Sequence, residues 1–150
     1  VTLQINTYMI KIKELPATVV SRFLKKIDSN STNCHLWQGT IDRSGYGVFC
    51  VGRNKETKKT MTISAHKFAY LLHRGEIHKE KIVIQECENN LCVKPEHLVL
   101  KNRKEWKRVK PTIDYLRKIK KIRPDLIDDA NILIRKLQYP KDEYDFGFDN

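Results

Sequence analysis

The period with which apolar and polar residues alternate changes several times along the chain, and each change marks an expected element. Residues 1–15, VTLQINTYMIKIKEL, alternate loosely, which predicts a strand or an ordered arm ended by Pro16. In the next stretch, ATVVSRFLKKID, Val20, Phe23, Leu24 and Ile27 recur at helical spacing with Thr18 in place to cap, so a short amphipathic helix is expected. A polar SNSTN loop follows, and then CHLWQGTIDRSGYGVFCVGRNKETKKTMTISAH reads as β structure punctuated by Gly39, Gly45, Gly47 and Gly52. Within it the runs YGVFCV and MTISA flank the basic connector GRNKETKK, the pattern of a β-ribbon with a charged tip.

From His66 onward the period returns to that of a helix through Phe68, Ala69, Leu71 and Leu72, with Gly75 as the stop. KIVI is a short strand running into a cysteine loop, and PEHLVLKNRKEWKRVK leaves that loop as a helix-forming segment that Pro111 is expected to break. Two more helices are predicted beyond it. TIDYLRKIKKI sets Ile113, Leu116 and Ile119 on one side, and DLIDDANILIRKLQ follows Pro124. The end, KDEYDFGFDN, is acidic with aromatics and is expected to fray. The organisation implied is an arm over 1–17, a main domain over 18–110, a helical extension over 111–139 and an acidic tail over 140–150.

Composition changes this picture in one respect. With 150 residues, 40% apolar and 31% charged, the chain is an ordinary globular domain in size and polarity, but a net charge of +11 is not ordinary. Such an excess points to a polyanionic partner, nucleic acid before anionic membrane. No apolar run approaches the roughly 20 residues that span a bilayer, and the first residues lack a secretory pattern, so an intracellular protein without membrane contact is expected. Between Lys101 and Ile122 ten Lys or Arg face only Glu105 and Asp114, a local excess of +8. A solvated helix face is the bland explanation; a stripe contacting phosphates is the sharper one, and the whole-chain charge favours it. Signatures of aromatic stacking on single strands are lacking, which ranks RNA low.

Four cysteines stand at positions 34, 50, 87 and 92. In a lysine-rich intracellular chain clustered Cys and His more often hold metal than form bridges. Cys87, Cys92 and His97 follow one another at intervals of five, and Cys34 supplies a distant fourth ligand. That closed Cys₃His set suits a structural, tetrahedral Zn²⁺. The alternative is that the cysteines are merely buried and His97 caps a helix. Cys50 is left over on an apolar strand and is expected in the core.

Taken in order, RFLKKI, CHLWQGT, GYGVF, SAHKFAY, GEI and CENNLCVKPEHLVL resemble the phage-type HNH nucleases and their His-Cys box homing-endonuclease relatives over about residues 18 to 106. The resemblance implies an α+β, zinc-braced ββα-metal fold with a β-ribbon and appended C-terminal helices. It also implies a single catalytic Mg²⁺, and a ribbon, here Tyr46 to Ile63, lying in the major groove of double-stranded DNA. Expected DNA contacts are Arg43, Arg53, Lys55, Lys58 and Lys59 in and near the ribbon, Lys67 at the next helix, and Lys101, Arg103, Lys104, Lys107, Arg108, Lys110, Arg117, Lys118, Lys120 and Lys121 in the basic stripe. A phage or mobile-element source fits this family. A homodimer would suit palindromic sites, although no seam is legible.

The resemblance also shows where this chain departs. The family's general base is a histidine two residues before the first loop cysteine, and that position is Gln85; the metal-binding asparagine, nine residues after His97, is Trp106. A carboxamide cannot take a proton from water near neutral pH, a loss on the order of 10²–10⁴ in rate. An indole offers no oxygen to Mg²⁺. A shift of a few residues in the alignment would bring Asn102 or Glu105 into the metal role. His66 matches a family histidine at a strand-to-helix junction, where a cap or phosphate contact competes with catalysis. Glu86 and Glu88 read as surface carboxylates, and His73 and His78 as solvated side chains. A DNA-binding protein with weak or absent cleavage is therefore expected; the alternative is an active Mg²⁺-dependent endonuclease with a rearranged site.

Overall fold

The computed structural model describes residues 2–5, 8–11, 15–30 and 33–139, and the expected frayed tail lies outside them. The chain is mixed α+β with small two-stranded sheets, and divides into two compact units, 1–101 and 102–150. The division falls at the start of the basic helix rather than at the expected 110/111 boundary.

In the first unit, the N-terminal segment forms two short strands, β1 (Thr2–Ile5) and β2 (Tyr8–Lys11), paired antiparallel with Thr2 opposite Lys11. The helix α1 spans Ala17–Leu24, and Pro16, not Thr18, occupies its N-cap position without a side-chain cap. Val19 and Phe23 are its buried residues, one turn apart, whereas Leu24 is exposed. The expected face of Val20, Phe23, Leu24 and Ile27 fails because the helix stops at Leu24 and Ile27 belongs to a strand. That strand, β3 (Ile27–Asp28), pairs antiparallel with β4 (Leu36–Trp37).

The ribbon forms as expected. Strand β5 (Val48–Arg53) pairs antiparallel with β6 (Thr60–Ser64), Val48 opposite Ser64 and Arg53 opposite Thr60, with a bulge between Cys50 and Gly52. Strand alternation turns Phe49, Val51 and Ile63 into the core and puts Cys50 on the solvent side. The expectation of a core Cys50 is thus corrected by a single step in the period-2 pattern. At the ribbon tip Asn54 accepts backbone N–H groups from Glu56 and Thr57, which shapes the turn that carries the lysines.

Helix α2 (Ala65–Arg74) follows β6 directly, buries Ala65, His66, Phe68, Ala69 and Leu71, and ends where Gly75 adopts a φ of 94°. Phe68 joins Phe23, Phe49 and Trp37 in one aromatic core, with ring centroids 4.6–5.9 Å apart. Gly47 passes so close to Trp37 that a Cβ there would stand 2.5 Å from the indole Cδ1.

Strand β7 (Lys81–Gln85) pairs with β8 (Leu98–Asn102). Here another expectation is corrected. Only Pro95–His97 makes a single 3₁₀ turn; the chain then extends, and the helix waits until Arg103. Pairing with β7 outweighs the helical propensity of the segment, since a strand with an unpaired edge has more to gain from a neighbour than the loop has from one more turn. Asn102 then starts the second unit by accepting the N–H groups of Lys104 and Glu105.

In that unit α3 (Arg103–Ile122) continues through Pro111 instead of breaking there. The proline is exposed, so the backbone carbonyl it frees can turn to water, and the buried Trp106 and Ile113 hold the helix on both sides of it. A turn at Pro124–Leu126, closed by a two-pronged Arg123–Asp125 ion pair, leads to α4 (Ile127–Gln138). The two helices pack together, and α4 buries Ala130 and Ile134. Among the described residues no helix is long and apolar enough to cross a membrane.

Candidate metal centre

Two backbone contacts bring four distant ligands together. The segment Cys34–Trp37 runs beside the loop after β7: Trp37 N–H donates to Leu91 C=O at 2.9 Å and Val93 N–H donates to His35 C=O at 2.8 Å. Leu36 and Cys92 are bridge partners, so Cys34 arrives next to Cys92 across 58 residues of chain. On the other side, Glu86 N–H donates to His97 C=O at 2.9 Å, which sets Cys87 beside His97. The loop between them is folded by Asn89, whose carbonyl accepts the Cys92 N–H and whose side chain accepts the Leu91 N–H.

The ligand atoms of Cys34, Cys87, Cys92 and His97 all lie within 4.8 Å of one another. His97 presents Nδ1, 3.6 Å from the Cys34 Sγ and 3.5 Å from the Cys92 Sγ. Zn–S and Zn–N bonds of about 2.3 and 2.0–2.1 Å at tetrahedral angles give an S···N edge of about 3.6 Å. The spacing therefore fits a four-coordinate ion such as zinc, and three soft thiolates with one imidazole are the donor set such an ion prefers. Cys92 is fully buried and the other three are half-buried, and four protein donors would leave a tetrahedral ion no open position.

The thiols feel each other strongly. Cys87 is pushed down to about 5, first by the hydrogen bond from Cys92 and then by the backbone N–H of Asn89, against its own burial. Cys92 is pushed far up, because its proton is held against the Cys87 sulfur, and Cys34 is raised by burial. One thiolate is thus ready at neutral pH, and a divalent cation would displace the protons of the others.

The expected catalytic positions are distributed unevenly. Gln85 ends β7 and is 7% exposed, with its Nε2 donating to the Asn90 carbonyl at 3.0 Å. His66, the second residue of α2, is buried against the Tyr46 ring at a centroid distance of 5.6 Å, and its Nδ1 has no hydrogen-bond partner among the described residues. Burial, with help from Lys67 and against Asp42, lowers its pKa to about 4, so it is neutral at physiological pH. Asn102 serves as the N-cap of α3, Glu105 is exposed in its first turn, and Trp106 is buried. Glu86 is half-buried and Glu88, exposed, takes a φ of 61° in the metal loop; His73 and His78 are exposed.

Of the expected DNA contacts, Arg43, Arg53, Lys55, Lys58 and Lys59 are exposed on the first unit, and Lys67 and Lys101 are half-buried. On α3, Arg103, Lys104, Lys107, Arg108, Lys118 and Lys121 are exposed; Lys120 is half-buried, and Lys110 and Arg117 are ion-paired to Asp114. Sequence reasoning missed the pairing of residues 91–93 with 35–37 and the Gln85–Asn90 contact. The Asn89–Asn90 pair signalled a turn, but nothing local named its partners.

No family model matches this chain, and no solved structure does. Over 85 residues it is 31% identical to Protein 2.8 of Escherichia phage T7, an alignment covering 56% of this chain and 53% of that protein. The match thus spans about half the length of that relative.

Proposed function

We propose that the chain is a double-stranded-DNA-binding protein built on an HNH-like ββα-metal scaffold, with cleavage weak or absent. Gln85 carries the reading. It ends a strand immediately before the metal loop, where a nuclease of this kind keeps its base, and its amide is engaged with the Asn90 carbonyl. A carboxamide orients water without accepting its proton, which would cost on the order of 10²–10⁴ in rate.

Support for the scaffold comes from the chain order β7, Cys/His loop, β8, α3, with the strands paired and the helix capped at the last residue of β8. Support for DNA comes from the exposed cations of the ribbon tip and of α3 in a chain of +11. Likeness to a phage protein is in keeping with a phage or mobile-element source. Zinc at the four-ligand centre would brace a loop that has little core of its own. Magnesium does not fit as readily. Trp106 has no oxygen, the Asn102 Oδ1 already accepts two backbone N–H groups, and Glu105 alone makes no ligand set, so no hydrolytic step is assigned to it.

Plasmid nicking in Mg²⁺ or Mn²⁺ tests the reading. The unmodified chain is expected to leave supercoiled DNA intact; nicking restored by Gln85→His would mark Gln85 as the lesion, and no nicking by that variant would place the loss in the metal ligands as well. Vigorous cutting by the unmodified chain would sink this reading in favour of an active endonuclease with a rearranged site.

A further inference from the structure

The outer face of α4 is self-complementary, and we propose that it is the seam through which two copies of this chain associate. At about 100° per residue, Asp128, Asp129, Ile132, Arg135 and Lys136 share one arc of roughly 120°, opposite the buried Ala130 and Ile134. All five are exposed, and Ile132, at 55%, is an apolar side chain left in water among charges. Acids in the first turn and bases in the last satisfy the helix dipole, which explains the order of the charges but not the isoleucine at their midpoint.

Ile132 lies midway between Asp128 and Lys136 and also midway between Asp129 and Arg135. A two-fold axis crossing the helix at Ile132 therefore runs a second α4 antiparallel and sets the two isoleucines against each other. On one flank Lys136 then meets Asp129 of the second copy, and on the other Arg135 meets Asp128 of the second copy. By symmetry each pairing occurs twice. A parallel arrangement would instead align acids with acids and bases with bases, so the charge pattern selects both orientation and register. The half-exposed Leu133 borders the contact. Two short helices bury less than the roughly 1,200 Å² of a standard interface, so the dimer is a weak, exchanging one.

Sedimentation equilibrium on the full chain, freed of nucleic acid, reads this directly. From about 10 μM to about 1 mM, the range suited to a small interface, the mass should climb from 17.7 kDa towards twice that value. Ile132→Glu should hold it at the monomer. The all-basic variant Asp128→Lys/Asp129→Lys and the all-acidic variant Arg135→Glu/Lys136→Glu should each stay monomeric alone, and a mixture of the two should dimerise at lower concentration than the unmodified chain. The substitutions are on an exposed face, and unchanged circular dichroism confirms that each variant folds. A monomer at 1 mM, or failure of the two charge variants to pair, would overturn the proposal; rescue on mixing is an outcome that a merely structural role of these charges does not produce.

Discussion

At position 85 a buried carboxamide ties the end of β7 to the Cys/His loop through Asn90, so the glutamine helps hold the loop in place. His66 makes a different residue-scale demand. The unfolded chain takes up a proton on this imidazole below about pH 6.5, whereas the folded chain resists until about pH 4. Stability contributed by the neutral, buried ring is therefore complete above that window and is lost as pH falls through it, by about 3 kcal/mol. Urea unfolding at pH 7 and pH 4.5 should show a steeper acid loss for the unmodified chain than for His66→Phe; equal losses would mean that the ring is not sequestered. The metal ligands set a third expectation. Purified protein should contain one zinc per chain, and Cys92→Ser should abolish that stoichiometry and lower the thermal midpoint of unfolding, since a closed site couples metal to folding.

Among the elements, the contact of Gly47 with Trp37 gives the sharpest packing test. Gly47→Ala forces a methyl into the indole of a fully enclosed aromatic core, and urea denaturation should show a loss of about 1–3 kcal/mol. A neutral result would mean that the ring can retreat. The same scale explains what could be foreseen. The ribbon was legible because alternation brackets a basic connector, and α2 because its apolar period ends at Gly75. All four candidate metal ligands were legible because their chemistry is rare, and three of them, Cys87, Cys92 and His97, recur at intervals of five. The segment after His97 was not, because whether Leu98–Asn102 coils or extends depends on β7, which lies far enough away in sequence to leave no local trace. Pro111 misled for a related reason: a helix held by Trp106 and Ile113 tolerates a proline on its wet side. Cys50 shows how one residue of register exchanges core for solvent.

For the whole molecule, the basic charge divides by structural role. Lys110 and Arg117 answer Asp114 within the helix, while Lys104, Lys107, Arg108, Lys118 and Lys121 have no ion-pair partner among the described residues and lie within roughly 140° of one another around α3, opposite Trp106 and Ile113. Uninterrupted passage through Pro111 is what keeps them on one face; two separate helices would have scattered them. Under the proposed function such a face would track phosphates without reading bases, leaving sequence preference to the ribbon. Equilibrium binding of the full chain to a short DNA duplex, measured between 50 and 200 mM salt, therefore tests the central claim most directly. About five phosphate contacts predict that affinity falls by about 10²–10³-fold across that interval. Affinity that stays within about threefold over the same interval, or no binding at its low end, would contradict the assignment of this protein to duplex DNA.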